Sequence, residues 1–501
     1  MDETDGPETG HGKRETVTAM IDLRSIDAFI DDHFNAHLER MRAFVRQPSI
    51  SGEGVGMTEM ADLVAQTIRE IGGTSEIVPT SGWPVVYGEL HEGRPQTLLL
   101  YGMYDVQPVA GEAWTVPPFG GEVIDFEDLG PCVVSRGATN QKGPLAGLLS
   151  ALQSIRTVAG RLPVNVKFVV EGEEELGSRH LPEFIDRQRD RLSADGTYFA
   201  AFSQDRTGKP ILWLGVKGIV FFEMTCRGGG WGGPATRGIH GSQGAWIASP
   251  VWRMLHAMAT MAGPDERIRI DGIYDRVHAP SPEDEAVLAA LAETFDPSVT
   301  LRSNDVRRFK YDLRGVELLR RYLFEPILNI DGIAGGHFGP GTKTLLPHEI
   351  TAKMHVRLVP DMEPEDVREK IVAHLARIGC ADFDVRFEEG YPWAKMSPSA
   401  PISQAMIRTF RSFGREPEVW PNIAGSAPFY LFSRVLQQPF TMGGLGHGGR
   451  AHSPNEYATV DGLRRFEKSV ARFLYEFASS EPSSTVSSPQ RADQSAGAGA
   501  P

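Results

Sequence analysis

The chain has 501 residues, of which 41% are hydrophobic, 23% charged and 9% aromatic, and its 51 Lys and Arg face 65 Asp and Glu for a net charge of −14. A chain of this length holds about two to four domains with real cores, and its apolar fraction excludes a largely disordered protein. The acidic balance excludes a general attraction for nucleic acid or an anionic membrane, and no run approaches the roughly 18 apolar residues of a membrane span.

In chain order, residues 1–20 are polar and charged, read as a disordered tail, and lack the apolar stretch of a secretory signal. Ile26, Phe29, Ile30, Phe34, Leu38, Met41 and Val45 then recur at helical spacing, with Ser25 as N-cap and a stop before Pro48. Thr97–Tyr101 reads as a buried strand, Leu145 to Ile155 as a helix, and Val164–Val170 as a second strand ending at an acidic cluster. Strand, crossover helix, strand is the grammar of a parallel α/β sheet, where ligands gather at the carboxyl ends of strands. From about Gly215 the texture changes to Gly-rich turns, strands near Ile219–Met224 and Ala352–Pro360, and amphipathic stretches at Pro250–Met261 and Glu365–Ile378. After Pro392 the α/β pattern returns, with helices near Ile402–Phe413 and Val460–Phe477. The expected organisation is an α/β catalytic domain formed by 21–214 and 392–478, interrupted by a smaller α+β domain at 215–391. A Ser/Ala/Pro/Gly-rich tail, 479–501, follows. Cys132, Cys226 and Cys380 lie far apart, in neither a disulfide framework nor a zinc-finger spacing. A reducing, cytoplasmic location is therefore expected.

Four segments concentrate chemistry: Tyr101–Pro108 (YGMYDVQP), Arg136–Pro144 (RGATNQKGP), Glu171–Ser178 (EGEEELGS) and Gly446–Tyr457 (GHGGRAHSPNEY). Singly, each has a plain structural explanation. Three consecutive Glu suit a solvated loop, a His among glycines suits exposed surface, and Asp105 suits a turn cap. The glycine run Arg227–Gly233 lacks the Gly-Lys-Ser/Thr ending of a phosphate loop and reads as a connection after a strand.

Together and in this order, the segments resemble the aminoacylase–carnosinase family of co-catalytic zinc peptidases. The similarity is greatest to the carnosine-dipeptidase-like branch, where Asp105-Val-Gln-Pro108 is followed by Trp114 and Pro117-Pro118-Phe119. The resemblance spans about Ile21 to Phe477 and implies a zinc-peptidase-like domain, its mixed, mostly parallel sheet flanked by helices, with an inserted α+β lid that forms a homodimer. It implies five zinc ligands, of which Glu175 and His452 match. Met103 stands at the position of the first His, Asn140 at the bridging Asp, and Ala201 at the second Asp, with Gln204 or Asp205 there if the register slips. A thioether or neutral amide is a poor zinc donor, and Asn140 lacks the charge that a bridging carboxylate supplies between two dications. No cofactor is therefore expected; the alternative is one zinc ion on Glu175 and His452.

The resemblance further implies catalytic roles for Glu174 as general base, for His240 at the oxyanion from the partner subunit, and for Asp105 behind the missing His. It assigns a substrate carboxylate to Arg357, Gly425 and Ser426, where the planar guanidinium fork of Arg357 suits such a group, and a polar substrate contact from the lid to Asn329. The expected function is chemistry at an amide or C–N centre of a small amino-acid- or dipeptide-like carboxylate, through Glu174 and without the zinc pair, in specialised metabolism. The alternatives are a zinc dipeptidase or deacylase with a rearranged or single metal, and a non-catalytic protein binding a small ligand. No nucleic-acid or membrane partner is expected.

Overall fold

The computed structural model describes residues 23–388 and 390–480. The tails expected at 1–20 and 479–501 lie outside the described residues, except that Ser479 and Ser480 close the last helix through hydrogen bonds to the carbonyls of Tyr475 and Phe477.

A six-stranded sheet forms the centre, in the spatial order Thr74–Val78, Val85–Leu90, Asn165–Glu171, Thr97–Met103, Gly196–Ala200 and Phe440–Gly443. The first two pairings are antiparallel and the last three parallel. The parallel strands are apolar on both faces because helices cover both. Leu98, Leu100, Val166 and Phe168 pack under the helices Leu23–Arg46, Lys142–Ala159 and Val460–Ala478. Leu99, Tyr101 and Val169 meet Phe184, Phe429 and Phe432 on the other side.

A second sheet has the order Ile327–Ala334, Glu349–Leu358, Gly218–Arg227, Asp384–Phe387, all antiparallel. Val220, Phe222, Met224, Met354 and Val356 alternate onto one face, which the helices Pro250–Met261 and Pro364–Arg377 cover. Period-2 alternation therefore leaves the other face, with Ile219, Phe221, His355 and Arg357, for the cleft between the sheets. All four strands fall within the span expected for an inserted α+β region.

Most elements match the periodicity reading to within a few residues. Ser25 does not: the first helix already includes Leu23, which places Ser25 inside it rather than at its cap. Three helices between Pro282 and Phe324, two starting behind side-chain caps at Ser281 and Asp296, lie inside the expected 215–391 span, where the sequence reading marked no helix. The three cysteines are free and buried.

Candidate active site

The strands Thr97–Met103 and Asn165–Glu171 are parallel neighbours whose last pair is Met103 with Glu171. The ladder continues for one more bond, Tyr104 N to Glu171 O at 2.8 Å. Their outgoing loops therefore leave the sheet side by side, and Gly172 permits it: a Cβ there would lie 2.3 Å from the Tyr104 ring.

Asp105 is fully buried. Its carboxylate accepts the backbone N–H of Glu174 at 3.2 Å, that of Glu175 at 3.0 Å and the Ser51 hydroxyl at 2.8 Å. It thus fixes the turn that presents both glutamates. Burial first, then the neighbouring Glu175, pushes its pKa up to about 7 against those three hydrogen bonds.

Glu174 and Glu175 leave the turn with different partners. Glu175 accepts from Gln107 Nε2 at 2.8 Å and from Asn140 Nδ2 at 2.8 Å. His452 Nε2 stands 3.1 Å from the same carboxylate and 3.0 Å from the Asn140 amide. A protonated Nε2 suits the carboxylate and a lone pair suits the amide, so protonation selects between the two contacts. The hydrogen bond to Glu175 raises the His452 pKa. Asn140 itself is held by a buried ion pair. Its backbone N–H and that of Thr139 donate to Glu456, at 2.8 and 3.0 Å, and Glu456 pairs with Arg136 at 3.1 Å.

The Glu174 carboxyl, by contrast, has no hydrogen-bond partner among the described residues. It lines a cleft of about 410 Å³ together with Glu175, His452, Arg357 and Ser426. Burial, then Glu175, Asp105 and Glu171, hold it well above the usual carboxylate range. The opposite wall comes from the second sheet. Arg357 Nη1 donates to Ser426 Oγ at 2.7 Å, and Ser426 in turn donates to the Gly218 carbonyl at 3.2 Å. Lys217, buried beside Arg357, donates to the Glu325 carbonyl, and burial brings its pKa down to about 7.

The other residues singled out from sequence fall elsewhere. Gly425 accepts from the Lys217 backbone N–H at 3.0 Å, and a Cβ there would meet nothing within 4 Å. Asn329 is exposed on the edge strand, where its amide donates to Asp331 at 2.8 Å. His240 is exposed between Ser242 and Thr344, at 2.8 and 3.0 Å, away from the cleft of its own chain. Met103 is buried and Ala201 donates its N–H to Gly443. Gln204 is tied to Gly208 and Gly446, and Asp205 to its own turn at Thr207 and Lys209. Among the described residues no three His, Cys, Asp or Glu side chains gather as metal ligands would. Sequence reasoning gave no role to Gln107, which lies within the Asp105–Pro108 motif, nor to Arg179, Phe221 and Tyr391, which line the cleft from separate segments and carry no motif of their own.

Known proteins share the sequence pattern and the fold of this chain. The model of peptidase family M20/M25/M40 matches residues 99–476, more than half of the chain. A Cys-Gly metallodipeptidase of Schizosaccharomyces pombe is 26% identical over 90% of this chain and 98% of its own. The human Beta-Ala-His dipeptidase is 28% identical over 91% of this chain and 93% of its own. Among solved structures, an M20 family metallo-carboxypeptidase of Sulfolobus solfataricus superposes with TM-score 0.81 at 30% identity, covering 88% of this chain and 99% of that one. Human carnosine dipeptidase 1 superposes with TM-score 0.75 at 25% identity, covering 91% and 99%. Family model, curated relatives and shared fold agree over nearly the whole chain, which belongs to peptidase family M20/M25/M40.

Proposed function

We propose that this chain binds a small dipeptide- or N-acyl-amino-acid-like ligand in the cleft between its sheets and acts on its amide bond through Glu174, without a zinc pair. The observation that carries this reading is the carboxyl of Glu174, which shares a cleft with Arg357 and Ser426 while making no hydrogen bond among the described residues. Arg357 and Ser426 receive the ligand carboxylate. That places the neighbouring amide along the cleft toward Glu174. In hydrolysis, water adds to the carbonyl carbon, the C–N bond breaks, and Glu174 gives its proton to the leaving nitrogen. The proton released by the added water then restores Glu174. His240 serves the cleft of a second copy in a homodimer.

Relatives of this chain carry metallo-names, and metal dependence is the norm among them. The donors here do not fit a zinc pair. Glu175 and His452 supply two ligands, and the bridging position is the neutral amide of Asn140, which hydrogen-bonds to both. A second reading, one zinc on Glu175 and His452, draws support from their 3.1 Å approach. Activity retained after chelation supports the reading without zinc, and activity lost on chelation and restored by zinc supports the single ion.

The test is turnover and binding of dipeptides and N-acetyl amino acids, beginning with Cys-Gly and β-Ala-His, after which the relatives are named. General acid–base catalysis contributes roughly 10²–10⁴-fold in rate, so Glu174→Gln is expected to lose about that much turnover while ligand binding changes far less. Unchanged turnover in Glu174→Gln refutes the acid–base role. Binding without turnover of any ligand in the panel refutes the enzyme and favours a ligand-binding protein.

A further inference from the structure

Arg179 lines the cleft but takes no part in the chemistry described above. It follows Ser178 in the loop that also carries Glu174 and Glu175, and it is exposed. Among the described residues it has no ion pair and no hydrogen bond, although Glu173, Glu174, Glu175 and Glu183 stand within six residues of it in the chain. The Glu174 carboxyl makes no hydrogen bond among the described residues, but burial holds it well above the usual carboxylate range, and the other three are committed. Glu173 is 2.7 Å from His180, Glu175 is taken by Gln107, Asn140 and His452, and Glu183 pairs with Arg187 at 2.8 Å. One further acid, Glu388, lines the cleft from the second-sheet side, where it is exposed. Arg357 lines the same cleft as Arg179, with the apolar Ile219, Phe221 and Tyr391 also among the lining. A monoanionic ligand held at Arg357 leaves the second guanidinium unanswered. A ligand with two acidic groups and a short hydrocarbon spacer answers both.

We propose that Arg179 is a specificity-determining residue that receives a second carboxylate of the ligand, so that the cleft prefers acidic substrates such as N-acyl-glutamate, N-acyl-aspartate or a dipeptide with an acidic side chain. The proposal rests on the cleft being the ligand site and deepens that reading. A guanidinium matches a carboxylate with two parallel N–H donors, which a neutral amide of the same shape cannot accept equally well. Because Arg179 is exposed, solvent screens the pair and the preference is modest.

The experiment is calorimetric titration of the full chain with N-acetyl-L-glutamate and its neutral isostere N-acetyl-L-glutamine. The expected result is binding of the glutamate about 5- to 10-fold tighter. Arg179→Gln brings the ratio to about one, Arg179→Glu inverts it, and Arg179→Lys retains part of it. Raising the salt concentration shrinks the preference wherever residue 179 is charged and changes nothing in Arg179→Gln. Equal affinities in the wild type, or a preference that survives in Arg179→Gln, overturn this inference and leave the cleft reading standing. If both ligands bind and Arg357→Gln weakens neither, the cleft reading itself fails. If neither binds at millimolar concentration, this inference falls, and the cleft reading falls with it only if Cys-Gly and β-Ala-His also fail to bind.

Discussion

Glu171 shows how the buried acids of this site respond to pH. Its carboxyl accepts from the Tyr101 hydroxyl at 2.6 Å and the Ser178 hydroxyl at 2.9 Å, yet its second oxygen is buried without a partner. Burial outweighs the Tyr101 hydrogen bond, with Asp105 adding to it, and pushes the pKa up to about 8. In the unfolded chain the same group titrates near pH 4. Between those values the folded protein holds a proton that the unfolded chain has lost. This contribution to stability is full below about pH 4 and is lost as the pH rises toward 8. Urea unfolding at pH 5 and pH 8 is expected to show the decline, and Glu171→Gln to flatten it. An unchanged slope in the variant contradicts the assignment. At this scale the sequence was legible where a motif carried the residue. Glu174, Glu175, His452, Arg357 and Ser426 all meet at one cleft. It was silent where proximity alone gives the role: nothing local marks Gln107 as a partner of Glu175, and Asp105 proved to hold two backbone N–H groups. His240 and Asn329 share motifs with the family but lie outside the cleft of their own chain.

Elements follow from periodicity more directly than sites do. The helix Val460–Ala478 was legible because its apolar residues repeat at helical spacing, and it buries Leu463, Phe466, Val470, Phe473 and Leu474. Phe466 meets Phe202 edge-on at 5.0 Å and lies so close to Gly147 that a Cβ there would approach within 2.9 Å of its ring. Phe466→Ala is therefore expected to lower stability by about 3–5 kcal/mol, read from urea unfolding. A loss below about 1 kcal/mol would show that the packing relaxes freely. The helix Pro282–Thr294 was missed although Ser281 and Asp284 form a reciprocal cap at its start. It buries Asp284, Leu288 and Leu291, too sparse an apolar set to mark it by periodicity.

Across the whole molecule, the alternation of strands and helices announced the α/β class, and one apolar cluster draws only on residues between Val220 and Phe387. That supports the division we propose, with 215–391 inserted between 21–214 and 392–478. Among the described residues no helix is long and apolar enough to cross a membrane. The inserted sheet ends in the strand Ile327–Ala334, whose Ile327, Ile330 and Ile333 are 48%, 47% and 41% exposed. An open edge with apolar side chains is a template for pairing, and a second copy of this chain is the occupant we propose. Light scattering at micromolar concentration is expected to give a dimer mass, and Ile330→Lys to shift it toward the monomer. A monomer in the wild type removes His240 from the chemistry.

The central claim is that this member of a zinc-peptidase family works through Glu174 with the zinc pair replaced by a hydrogen-bonded group of Glu175, Asn140, Gln107 and His452. Elemental analysis of the purified, active full chain tests it most directly. The account predicts far fewer than two zinc ions per chain and turnover that persists after chelation. Two tightly held zinc ions per chain, with activity lost when they are removed, would contradict it.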